Sequence, residues 1–110
     1  MAKKDTLLIL GSGVDQIFAI KIAKSMGLRT LSVDINPNSP GFQYSDQFSI
    51  ISNRDVNSLK ALCDESIRKG FPIVGIFLMG SDIPEVQSQL SEHLNLKGPT
   101  KETAKLTTNK

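Results

Sequence analysis

Four short strand-forming runs punctuate the chain: LLIL (7–10), TLSV (30–33), QFSII (47–51) and IVGIFLM (73–79). Three of them lead into helical patterns. The first is continuously apolar, as expected of a strand buried on both faces. Asp15–Met26 places Ile17, Ile20 and Ala23 at helical spacing, with Phe18, Ile22 and Met26 adding to a broad apolar face, and Gly27 is a fitting stop. Asp55 can cap a helix to Lys69, with Val56, Leu59, Leu62, Cys63 and Ile67 inside and Gly70 ending it. A further helix over Ile83–Leu94 would bury Ile83, Val86, Leu90 and Leu94. The segment NPNSPGFQYSD (36–46) is full of turn residues and is expected to be irregular.

Strands separated by helices pair in parallel, and right-handed crossovers put the helices on both faces. The expected fold is therefore an α/β, Rossmann-like open parallel sheet of about four strands in the order 3-2-1-4. One domain suits 110 residues. The lone Cys63 cannot form an internal disulfide, which makes a reducing, cytoplasmic setting the expectation. The apolar run at the N-terminus is too short for a leader or a membrane span. Thirteen basic residues against eleven acidic ones give a charge of +2, scattered and without interleaved aromatics, so neither nucleic acid nor membrane is an expected partner.

Ligands of such sheets sit beyond the carboxyl ends of the strands, where the strand order reverses. Two loops flank that crevice: GSGVDQ (11–16) after the first strand and MGSDIP (79–84) after the fourth. Gly11 permits a sharp turn, and Gly13 lets backbone N–H groups approach an anion at a helix N-terminus. The third small residue of the dinucleotide fingerprint is replaced by Gln16, and Asp15 adds negative charge beside the phosphate position. Asp34 stands where NAD-binding domains place a ribose-binding acid, although an aspartate also ends a strand by favouring the turn. Ser81 or Asp82 can cap the third helix, with Pro84 in its first turn, or aim polar groups into the crevice. The candidate substrate-binding residues are thus Gly11, Ser12, Gly13, Asp34, Gly80, Ser81 and Asp82. Cys63 reads as core and His93 as a surface residue. No Ser/His/Asp set, metal cluster or isolated acid pair provides catalytic machinery, so the domain reads as a binder of a small molecule.

Several segments resemble one family together: LILGSGVDQI, VDINPNSPGFQYSDQF, GIFLMGSDIP and GPTKETAKLTTNK are similar to the N-terminal domain of ATP-grasp ligases. The pattern runs from Asp34 through Ser39-Pro40-Gly41 to Ser45-Asp46. It resembles the purine-biosynthetic members, biotin carboxylase and the large subunit of carbamoyl-phosphate synthase. The resemblance implies a pre-ATP-grasp domain over residues 1–99, with 100–110 starting a helix or linker into a downstream ATP-grasp domain. It also implies a cytoplasmic ligase that makes an acylphosphate for attack by an amine or another nucleophile. ATP and Mg²⁺ would be held by the downstream domain and none by this chain, whose part is substrate binding; a homodimer is a further expectation. Asn109 departs from the Asp-Lys junction of the family. Two rival readings are an NAD(P)-binding domain of a dehydrogenase, favoured by Asp34 and opposed by Gln16, and a stand-alone sensor or interaction module.

Overall fold

The computed structural model describes residues 5–78 and 84–95. Its elements run β1 (Thr6–Leu10), α1 (Val14–Ser25), β2 (Arg29–Asp34), a 3-10 helix (Pro40–Tyr44), β3 (Gln47–Ile50), α2 (Val56–Arg68), β4 (Ile73–Leu78) and α3 (Pro84–Leu94). The four strands form one parallel sheet in the order β3-β2-β1-β4. That is the expected topology. The expected C-terminal helix from residue 100, and Ile83 as a core residue, lie outside the described residues.

Because side chains alternate across a strand, Leu8, Leu10, Leu31 and Val33 all point to one face of the sheet. There they meet Leu59, Leu62 and Cys63 of α2 and Val86 and Leu90 of α3 in a single buried cluster. Burial also pushes the Cys63 thiol up to about 12, with the Asp64 charge adding to the effect, so it stays protonated. Asp55 caps α2 as its position implies: its carboxylate accepts from the Ser58 amide at 3.2 Å and from the Ser58 hydroxyl at 2.7 Å. His93 is not isolated. Its Nε2 lies 2.9 Å from Asp64 Oδ1 and links α3 to α2.

The opposite face carries α1 and the 3-10 helix, and two expectations change there. Residues 36–46 are not wholly irregular, because Pro40 starts the 3-10 helix and Phe42 is buried against Phe48 with ring centroids 4.2 Å apart. The broad apolar face expected of α1 is largely unburied. Ile20 and Ala23 are enclosed, but Phe18, Ile22 and Met26 are exposed. Ile67 of α2 is likewise 43% exposed. A periodicity of 3.6 places these side chains on one side of a helix, but whether a neighbour covers that side is a tertiary matter.

The 3-10 helix is held by the C-terminal half of α1. Lys24 donates to the Tyr44 carbonyl at 2.9 Å, and the Lys21 ammonium sits 4.8 Å from the Tyr44 ring centroid. Pairing of β3 with β2 begins only at Leu31, which would leave the Thr30 N–H without a strand partner. The Asp46 carboxylate supplies one, accepting from Thr30 N at 2.8 Å and from its hydroxyl at 3.1 Å, while the Asp46 amide donates back to Thr30 Oγ1 at 3.0 Å. Thr30 is fully buried, so Asp46→Ala strands its amide. We expect the variant to lose about 1–3 kcal/mol in urea unfolding, and Asp46→Asn, which keeps an acceptor, to lose less.

Candidate functional site

The strand order reverses between β1 and β4, and the loop leaving β1 lies at that point. The structure brings Gly11, Ser12, Gly13 and Asp34 together. Gly80, Ser81 and Asp82, the other candidates, lie outside the described residues.

The loop turns at Gly11, where φ is +119°, a conformation that side chains other than glycine rarely adopt. Its N–H groups then find partners within the chain. Gly11 donates to the Val33 carbonyl at 2.8 Å, Ser12 to Asp34 Oδ2 at 2.9 Å, and Gly13 to Gln16 Oε1 at 2.9 Å. Gln16 is the third residue of α1 and reaches back to the residue before the helix, as the glutamine of a capping box does. It also packs over the loop: a Cβ on Gly11 would stand 3.0 Å from Gln16 Nε2. The residue that breaks the dinucleotide fingerprint therefore occupies the space above the glycines. Three amides that an anion would need are already committed, and the loop does not offer a phosphate cradle.

Ser12 faces inward and is fully buried. Its hydroxyl is 3.1 Å from Ser32 Oγ, which is 2.6 Å from Ser45 Oγ, which donates to the Gly41 carbonyl at 3.1 Å. Each hydroxyl has one proton, so the order is forced: Ser12 donates to Ser32, Ser32 to Ser45, and Ser45 to Gly41. The Gly41 amide in turn donates to the Ser12 carbonyl at 2.7 Å. Any side chain at position 41 would collide, because a Cβ would lie 2.5 Å from Ser12 Oγ and 2.6 Å from its carbonyl oxygen. Neither Gln16 nor the Ser32–Ser45–Gly41 set was among the site candidates. The spacing of Gln16 from Gly13 was a usable capping signal, whereas nothing local to Ser32 marks it.

Asp34 lies at the rim. Partial burial pushes its carboxyl up, but hydrogen bonds from the Ser12 and Asn36 amides, the Ser39 hydroxyl and the Ile35 amide outweigh this, and the pKa falls below its ordinary 3.8. Asn36 continues the turn by accepting from the Asn38 amide at 3.0 Å. Asp34 is thus an ionised carboxylate that closes the turn at the end of β2. Among the described residues, no three His, Cys, Asp or Glu side chains converge as a metal site would require. Among the same residues, no helix is long and apolar enough to cross a membrane.

No protein-family model matches the chain, and neither does any curated protein sequence. Solved structures do match. N5-carboxyaminoimidazole ribonucleotide synthetase in complex with ADP superposes with a TM-score of 0.66 at 22% identity, over 84% of this chain and 23% of its own. The Thermotoga maritima enzyme of the same name gives 0.62 at 21% identity, over 93% and 27%. Phosphoribosylglycinamide synthetase from Anaerococcus prevotii gives 0.64 at 22% identity, over 86% and 23%. These structural neighbours are ATP-grasp enzymes, matched over their N-terminal regions. At this identity the likeness is one of fold, and the chain spans about a quarter of the length of the structures it resembles.

The lowered pKa of Asp34 has a consequence for stability. A carboxyl whose folded pKa is depressed stabilises the fold above its unfolded value, and that contribution is lost as pH falls through the folded value. The melting temperature of wild type should therefore exceed that of Asp34→Asn near neutral pH. The gap should shrink as pH drops below 3.8. A pH series of thermal melts on the two proteins checks both statements.

Proposed function

We propose that this chain is the N-terminal, substrate-binding domain of an ATP-dependent carboxylate–amine ligase, with the nucleotide held by a downstream ATP-grasp domain. The observation that carries the reading is the superposition of 84–93% of the chain on only 23–27% of ATP-grasp structures. A unit matching a quarter of those structures fits a domain of a larger enzyme. The loop chemistry supports the same division of labour. With its N–H groups committed to Val33, Asp34 and Gln16, the glycine turn suits the wall of a small-molecule crevice better than a nucleotide cradle. Such a ligase would activate a carboxylate as an acylphosphate for attack by an amine, and this chain's part would be to present the small substrate along the rim of Gly11, Gly13 and Asp34. Gly80, Ser81 and Asp82 are proposed for the opposite rim. The likeness to carbamoyl-phosphate synthase rests on sequence alone, on the run from Asp34 to Asp46 and on GSGVDQI.

A dehydrogenase reading is less well supported. It needs Asp34 for a ribose and an open loop for a pyrophosphate. Asp34 already accepts from Ser12 and Asn36, and Gln16 covers the loop.

Calorimetric titration separates the readings. The 110-residue chain should show no saturable micromolar binding of Mg·ATP or of NAD(H), and a longer native polypeptide carrying it should bind Mg·ATP. Micromolar binding of either nucleotide to the isolated chain would overturn the proposal.

A further inference from the structure

We draw no further inference here: the strongest candidate, the apolar groove beside α1 lined by Phe18, Ile22, Met26, Leu28 and Phe77, carries nothing because nothing in the structure shows what covers it.

Discussion

Ser12 is gripped from three directions, and the arrangement of the sheet's carboxyl edge depends on that grip. Its amide is held by Asp34 at the end of β2, its carbonyl by the Gly41 amide of the 3-10 helix, and its hydroxyl by Ser32 within the sheet. Two stretches of chain that are distant in sequence, β2 and the 3-10 helix, are thereby locked to the end of β1. Since Ser12 is fully buried, each bond replaces water that the folded state excludes, and losing any one leaves a polar group without a partner.

The same grip distinguishes this loop from the nucleotide fingerprint that its glycines resemble. In a phosphate-binding turn the glycines keep their N–H groups free for the ligand. In this chain a glutamine, an aspartate and a strand carbonyl take them, and the turn is a structural joint. The strand order reverses at this carboxyl edge, which is where ligands of open α/β sheets generally sit. What lines it on the β1 side is an ionised aspartate and a glutamine-covered turn, a surface of different chemistry from a pyrophosphate site.

The two faces of the sheet are unequally covered. Helices α2 and α3 close one face around Leu59 and Leu90. The other has α1 and a short 3-10 helix, beside which Phe77 of β4 lines an apolar groove. Val14, Phe18 and Ile22 of α1, and Met26 at its end, remain exposed.

Strand positions, strand order and helix spans were legible in the sequence because they follow from local periodicity and from the rule that helix-separated strands run parallel. The cap at Asp55 was legible for the same reason, since its partner lies three residues away. The roles of Gln16 and Asp46 were only half legible: their positions were noticed, but their partners were not. Short-range pattern determined which residues form each element and which side of an element is apolar. Only the tertiary structure decided that Asp34 grips Ser12, that Gly41 must lack a side chain, and that Phe18, Ile22 and Met26 stay uncovered. The physical reason is that periodicity is set by one helix or strand alone, whereas burial and hydrogen-bond satisfaction depend on which distant segment arrives beside it.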